Sequence, residues 1–268
     1  MWIPVSPLVV LSLHLVVPAD SAPPTGSPPA AAPASGPPAA AAPASGPPAG
    51  ATPAAAPAPS TDPRLDAVVD AIQKTYDGTT DFSGSFTQKY TFTLLRRTEE
   101  SRGEVKFKKP GLMRWDYAQP KVKSFVVDGK SLWLHSKEDN TAFVNACFKN
   151  DGLTASVAFL WGQGKIREQF DVKWFDGIFG DKSDHHLQLV PRQGNSIFAK
   201  LILVVDPKSS RVKQSIVVDP SGNVNQFIYA NLKFNKGLSE KDFTFTPPSG
   251  THVARLPGSC DAPVAGLK

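Results

Sequence analysis

The sequence predicts an α+β domain that is mostly antiparallel sheet, with about ten strands, one N-terminal helix and short helices between strands. Three observations support this class. Apolar residues recur at helical spacing over 63–76, the pattern changes to alternation from Phe82 onward, and Gly, Pro and Asp turn signals separate the short runs that follow. Such a sheet either packs its interior solid or leaves a ligand cavity, and periodicity does not decide between the two.

The N-terminal helix has clear start and stop signals. Thr61 or Asp62 can cap it, Pro63 stands at the first helical position, and Asp77-Gly78 ends it. Its apolar stripe consists of Leu65, Val68, Val69, Ile72 and Tyr76. This stripe requires a partner surface, which the sheet is expected to supply.

Strand-like runs fill the rest of the chain. They are predicted from Phe82 to Phe86, then at 90–95, 103–108, 113–117, 123–127, 131–135, 170–175, 186–190, 198–205, 212–218, 225–231 and 243–245. Turns are predicted at 99–102, 110–111, 119–120 and 128–129. Alternation places Val105 with Phe107 on one face, and Met113 with Trp115 and Tyr117 on one face. A short helix is predicted at 152–161.

The chain divides into four parts by composition. Val5–Val17 is an apolar run too short to span a bilayer, which needs about 20 residues, and it suits a signal peptide, although no Lys or Arg precedes Arg64. Residues 23–63 are almost wholly Ala, Pro, Ser, Gly and Thr, which predicts a disordered spacer. The expected organisation is a cleaved signal peptide at 1–22, a linker at 23–63, a folded domain at 64–255 and a tail at 256–268, in an exported protein.

The net charge limits the classes of binding partner, and the cysteine count predicts a disulfide. The net charge of +5 fits a membrane surface, an acidic partner or an ordinary basic secreted domain, and export disfavours nucleic acid. The two cysteines, Cys147 and Cys260, are expected to form a disulfide in an oxidising compartment, the alternative being two free thiols.

Motifs for enzyme chemistry are missing from the sequence. There is no His-Glu-x-x-His zinc motif, no Gly-x-Ser-x-Gly nucleophile turn and no complete phosphate-binding loop. The neighbours His185 and His186 are expected to point to opposite faces of a strand, which disfavours a shared metal. We therefore expect no catalysis, no cofactor and no metal.

The segment Lys109-Pro-Gly-Leu-Met-Arg-Trp115 resembles the bacterial periplasmic lipoprotein carrier family LolA. The likeness continues through Phe86-Thr-Gln88, Val127-Asp-Gly-Lys-Ser-Leu-Trp133 and Phe243-Thr-Phe-Thr-Pro-Pro-Ser-Gly250, and it covers residues 64–255 in unbroken order. It implies an incomplete, strongly curved antiparallel β-barrel with helices over its open side. It also implies a monomer that takes lipoproteins from an inner-membrane lipoprotein-releasing ABC transporter and delivers them to an outer-membrane acceptor.

The resemblance also implies where acyl chains bind. The expected lining residues are Phe86, Val105, Phe107, Leu112, Met113, Trp115, Phe125, Val127, Leu132 and Trp133, with Leu153, Val157 and Leu160 on a helical lid. Alternation forbids Leu132 and Trp133 from both facing inward. Lys109 stands where the family commonly has Arg, and it is expected to contact the lid and tune release.

Two alternative functions remain open. One is a related half-barrel module of the cell envelope that binds lipid or senses lipoproteins. The other is an interaction protein tethered near the cell wall, without a ligand, in which the aromatic residues form a packed core.

Overall fold

A computed structural model of the chain describes residues 62–148, 165–192, 198–257 and 259–264. Within these ranges lie one long helix, a 12-stranded sheet and two short helical turns. The α+β class predicted from the sequence is confirmed. The predicted helix at 152–161, with Leu153, Val157, Leu160 and Trp161, lies outside the described residues.

The N-terminal helix, α1 (Pro63–Asp77), has the ends that its sequence predicts. The carboxylate of Asp62 accepts hydrogen bonds from the backbone N–H groups of Arg64 (2.9 Å) and Leu65 (3.4 Å), so Asp62 is the N-cap. At the other end, the N–H of Gly78 donates to the carbonyl of Lys74 at 3.1 Å. The buried residues of α1 are Leu65, Val69, Ile72 and Tyr76, which all belong to the predicted apolar stripe.

The strands follow in chain order. They are β1 (Asp81–Phe92), β2 (Arg97–Lys108), β3 (Leu112–Gln119), β4 (Lys123–Val127), β5 (Leu132–Ser136), β6 (Thr141–Asn145), β7 (Phe170–Trp174), β8 (His185–Pro191), β9 (Lys200–Val205), β10 (Val212–Val218), β11 (Val224–Phe234) and β12 (His252–Arg255). A four-residue helix, α2 (Ile166–Gln169), precedes β7, and a 3-10 helix (Glu240–Phe243) follows β11.

All the strands belong to one open sheet in the order β12-β6-β5-β4-β3-β2-β1-β11-β10-β9-β8-β7. Two antiparallel meanders, β1 to β6 and β7 to β11, are joined where β1 pairs with β11. In the described part of the chain β12 and β7 are the two edges, so the curled sheet forms an incomplete barrel, in agreement with the expected architecture.

The inner face of the sheet is defined here as the face against which α1 packs. The apolar stripe of α1 packs against the β8 residues Leu187 and Leu189 and the β9 residues Leu201, Leu203 and Val205. The alternate residues of β9 and β10 lie on the opposite, outer face, where they pack against Phe175 and Phe179. Both faces are therefore buried in this part of the sheet.

Several sequence-based boundaries were wrong. The sheet has 12 strands, including β6 and β12, which the sequence pattern did not predict, and the β12–β6 pair is parallel. Residues 99–102 lie inside β2 and not in a turn, since β2 pairs with β1 along its whole length. Residues 243–245 are not a strand, because Ser239 caps the 3-10 helix that runs into Phe243.

The C-terminal segment is attached to the outer face. Cys147, just after β6, is disulfide-bonded to Cys260 across a sequence separation of 113, with their Cα atoms 5.6 Å apart. The Ser259 hydroxyl accepts a hydrogen bond from the N–H of Ala146 at 2.9 Å, and Val264 packs against an outer-face cluster around Trp133. Among the described residues, no helix has the length and hydropathy of a membrane-spanning segment.

Candidate functional site

An aromatic cluster occupies the inner face of β1, β2, β3 and β11. Its members are Phe82, Phe86, Phe107, Trp115, Phe227 and Tyr229. Ring centroids lie 4.6 Å apart for Phe82 and Phe107, 4.8 Å for Phe86 and Trp115, and 4.9 Å for Trp115 and Phe227. Such pairs contribute about 0.5–1.5 kcal/mol each beyond the area they bury. The rings therefore form one connected apolar surface.

Gly103 makes room for this surface. It lies opposite Phe86 on β1 and Tyr117 on β3. A Cβ atom at Gly103 would stand 2.1 Å from the carbonyl oxygen of Asp116 and 2.9 Å from the Phe86 ring. Only glycine fits there, and this explains how Phe86 reaches across β2 to meet Tyr117, at 4.9 Å between ring centroids.

Beside the aromatic cluster, the pairing of β2 to β5 aligns apolar side chains in two rows across the strands. One row contains Phe107, Met113, Val127 and Leu132, and the next contains Val105, Trp115, Phe125 and Leu134. All of them are buried. Cross-strand neighbours on one face lie about 5 Å apart, so the rows form an unbroken apolar strip. We call this strip, together with the aromatic cluster, the lining surface.

Two residues expected on the lining surface lie elsewhere. Trp133 alternates with Leu132 and faces outward, where it packs with Val126 and Val144 and its ring lies 5.3 Å from that of Phe245. Leu112 alternates with Met113 in β3, so it shares the outer face with Arg114. Both corrections follow from the period of two along a strand.

Lys109, between β2 and β3, contacts the C-terminal end of α1. Its Nζ donates a hydrogen bond to the carbonyl oxygen of Tyr76 and lies 3.4 Å from that of Asp77. A cation at this end complements the helix dipole. Burial lowers the pKa of Lys109, and the charge of Asp77 opposes that shift. Lys109 thus links the edge of the lining surface to α1.

Polar contacts also hold α1 over the β7–β8 side of the sheet. The indole N–H of Trp174 donates to Asp62 at 2.7 Å and lowers the pKa of that carboxyl group. Arg167 of α2 donates to Asp66 and, at 3.0 Å, to Asp70, while the N–H of Ile166 donates to Gln73 at 2.9 Å. These contacts fix the direction of the helix. Exposed ion pairs contribute little each, so the buried stripe supplies most of the attachment energy.

Four residues of the lining surface were not predicted from the sequence. Phe82, Leu134, Phe227 and Tyr229 lie on it but were not predicted to do so. Phe82 and Leu134 share the alternation of Phe86 and Leu132, which was a usable signal. Phe227 and Tyr229 join the lining surface only because β11 pairs with β1. No local sequence pattern predicts that pairing. The expected lid residues Leu153, Val157 and Leu160 lie outside the described residues.

No group of three or more His, Cys, Asp or Glu side chains is placed to hold a metal ion in the described part of the chain. The lining surface carries aromatic and aliphatic groups, and its charged neighbour Lys109 is directed at helix carbonyls. The lining surface is therefore apolar, with one cation at its edge.

A family model described as "Outer membrane lipoprotein carrier protein LolA" matches residues 77–246. The chain belongs to this family. The matched range begins at the last residue of α1 and includes β1 to β11 together with the 3-10 helix. The LolA family range therefore contains the whole lining surface and Lys109.

Two carrier proteins and one solved structure are similar to this chain. An outer-membrane lipoprotein carrier protein of Nitrosomonas europaea is 26% identical over 174 residues, which are 65% of this chain and 82% of the relative. One of Neisseria meningitidis is 26% identical over 186 residues, 69% of this chain and 86% of the relative. A solved LolA superfamily protein of N. europaea aligns with a TM-score of 0.37 and 13% identity, over 68% of this chain and 97% of its own.

Proposed function

We propose that this protein is a periplasmic carrier that holds the acyl chains of lipoproteins on its lining surface and moves them from the inner membrane to an outer-membrane acceptor. The observation that carries the proposal is the continuity of that surface. Its two apolar rows cross four neighbouring strands and meet the aromatic cluster on the same face. A strip of this kind matches long hydrocarbon chains better than a small polar metabolite.

The need for a carrier follows from the cost of exposing acyl chains to water. Each exposed methylene costs about 0.8 kcal/mol, so a chain with some fifteen of them costs on the order of 12 kcal/mol. Unassisted crossing of an aqueous compartment is correspondingly slow. A protein surface lowers this barrier if it replaces water around the chain, and the aromatic cluster and flexible Met113 suit irregular hydrocarbon contacts.

The rest of the chain fits the same role. We propose a cleaved signal peptide at 1–22, a spacer at 23–63, the carrier domain at 64–255 and a tail at 256–268. The roughly forty residues of the spacer reach on the order of 120 Å when fully extended in a polyproline-like form. The proposed partners are an inner-membrane lipoprotein-releasing ABC transporter and an outer-membrane acceptor. The carrier acts as a monomer, and transfer involves no bond-making chemistry.

Lys109 is proposed to influence release. Its hydrogen bonds tie the β2–β3 turn, beside the lining surface, to the end of α1. A carrier has to release its ligand at the acceptor. A contact made by one flexible cation breaks more easily than a packed apolar interface. Lysine also lacks the planar fork of arginine, so it binds carbonyl groups with a different geometry.

The direct test is a transfer assay with the full chain purified from the periplasm of a Gram-negative host. Inner-membrane vesicles with radiolabelled lipoproteins and ATP are incubated with the protein, and the soluble fraction is then added to outer-membrane vesicles. We expect labelled lipoprotein to leave the first membranes bound to the protein and to appear in the second. Retention of all label by the donor membranes, with folded protein present, would contradict the proposal. Binding of free acyl lipid without lipoprotein transfer would favour the lipid-binding or sensing alternative.

A further inference from the structure

The indole N–H of Trp115 is a buried donor without a partner in the middle of the inner face, and the Thr141 hydroxyl of β6 is a second buried polar group without one. The Trp115 side chain is 5% exposed, and its Nε1 atom is fully buried with no hydrogen-bond partner among the described residues. Three further polar groups on this face are matched. The Tyr229 hydroxyl lies 3.0 Å from that of Ser215, the Tyr76 hydroxyl accepts from the N–H of Val212 at 3.1 Å, and Gln88 donates to Asn225 at 2.8 Å.

Neighbouring rings hold this indole in place. Phe86 meets it edge to face with a centroid distance of 4.8 Å, Phe227 lies at 4.9 Å, and Phe107 at 5.9 Å. Buried tryptophans usually find an acceptor for the N–H group, because an unpaired buried donor is unfavourable. Phenylalanine would fill a similar space without that penalty. A fixed donor without an acceptor of its own is thus suited to an acceptor that arrives with a ligand.

The chemistry of an acylated ligand supplies such an acceptor. A hydrocarbon chain has none, but the ester or amide group at its head carries a carbonyl oxygen without a net charge. That oxygen can enter an apolar surface at a modest desolvation cost if a donor is waiting for it. A charged phosphate would not suit the same place, since a single neutral indole N–H cannot compensate a buried anion.

We propose that the Trp115 N–H is a binding site for the carbonyl oxygen of the ester or amide that joins an acyl chain to the ligand. The inference rests on the proposed lipid-binding function of the lining surface and adds a polar contact to it. Trp115 lies in the row with Val105 and Phe125, and beside the row with Met113 and Val127. A hydrogen bond at this point fixes how far the acyl chain slides along both rows. Trp115 is therefore a specificity-determining residue that distinguishes acyl groups from plain alkyl chains.

The test compares two ligands and two variants of the full chain. The ligands are a synthetic lipopeptide with two ester-linked palmitoyl chains on a glyceryl thioether, and its dialkyl ether analogue of equal chain length, which lacks the carbonyl groups. We expect Trp115→Phe to weaken binding of the ester ligand roughly three- to tenfold and to change binding of the ether ligand by less than about twofold. Trp133→Phe, on the outer face, is the matched control and should change neither.

A spectroscopic readout separates a hydrogen bond from a loss of packing. The NMR signal of the Trp115 indole N–H is assigned in 15N-labelled protein as the one that disappears in Trp115→Phe. In the native chain, the proton of this signal should move downfield when the ester ligand binds, and much less when the ether ligand binds. Equal losses for both ligands in Trp115→Phe, or an indole signal that ignores the ester, would overturn the assignment while leaving the carrier proposal intact. Failure of the native chain to bind either ligand would overturn both.

Discussion

The two halves of the inner face carry different kinds of side chain. The half made by β8, β9 and the start of β10 is aliphatic, and α1 closes it with a buried stripe and polar contacts along its length. The half made by β1 to β5 and β11 is rich in aromatic rings, includes Met113, and contains the unpartnered indole donor of Trp115. Both halves are buried to a similar extent, so they differ in chemistry: one has aliphatic side chains under a helix, and the other has aromatic rings, a flexible thioether and an indole N–H without a partner.

The strongest test of this division is Met113→Glu in the aromatic half. Met113 is 0% exposed and lies in the row with Phe107 and Val127, so the change places a carboxylate in the path of the acyl chain. Burying that group beneath a bound chain without a partner costs several kcal/mol, so we expect uptake of acyl ligand to fall more than about a hundredfold. Ligand binding and lipoprotein transfer are the measurements.

Two controls accompany Met113→Glu. Met113→Leu keeps the volume and should retain uptake at a cost in stability below about 1.5 kcal/mol. Circular dichroism establishes that the glutamate variant is folded. Uptake and delivery equal to those of the parent protein, in a folded Met113→Glu variant, would show that the lining surface does not hold the acyl chains.

In the aliphatic half, Leu203→Ala should act on stability alone. Leu203 is fully buried between α1 and the sheet, and truncating such a leucine lowers the free energy of unfolding by about 2–5 kcal/mol. Binding of acyl ligand by the folded fraction should change less than about twofold. Urea unfolding and ligand titration measure the two quantities.

The exposed Leu94→Ala is the matched control for Leu203→Ala. Leu94 is 93% exposed at the tip of the β1–β2 hairpin, and its truncation should change the free energy of unfolding by no more than about 0.5 kcal/mol. A large loss of ligand affinity in Leu203→Ala would mean that the two halves act as one binding surface, and the proposed division would be wrong.

The smallest effect is expected at Lys109, where the two halves are connected. Lys109→Met keeps the aliphatic stem but removes the donor to the carbonyls of Tyr76 and Asp77. The lost hydrogen bond to the helix end should lower the free energy of unfolding by only about 1 kcal/mol, because the contact is made by one partly exposed cation. Lipoprotein release to the acceptor should become measurably faster. A transfer assay stopped at successive times measures this rate.

Lys109→Arg provides the comparison for release. It restores a cation with a different donor geometry and should bring stability back while leaving release altered. If Lys109→Met released lipoprotein at the parental rate, the contact with α1 would be purely structural.

Local patterns in the sequence were sufficient for several elements. Asp62 and Pro63 mark the start of α1, and the spacing of Leu65, Val69 and Ile72 defines its buried stripe, because both signals depend on neighbours within one or two helical turns. Alternation likewise placed Val105 with Phe107 and Met113 with Trp115, since the period of a strand is fixed by its backbone. The resemblance of the Lys109–Trp115 segment led to the LolA family, which the family match confirms.

Tertiary structure decided which of two equivalent faces turns inward and which distant strands meet. Alternation allowed either Leu132 or Trp133 to face the lining surface, and pairing with β4 selected Leu132. Phe227 joined Phe86 and Trp115 only because β11 pairs with β1, and β12 became a strand only beside β6. Local propensity cannot fix such choices, because strand pairing is stabilised by burial of whole faces against one another, and that burial exists only once segments far apart in the chain have come together.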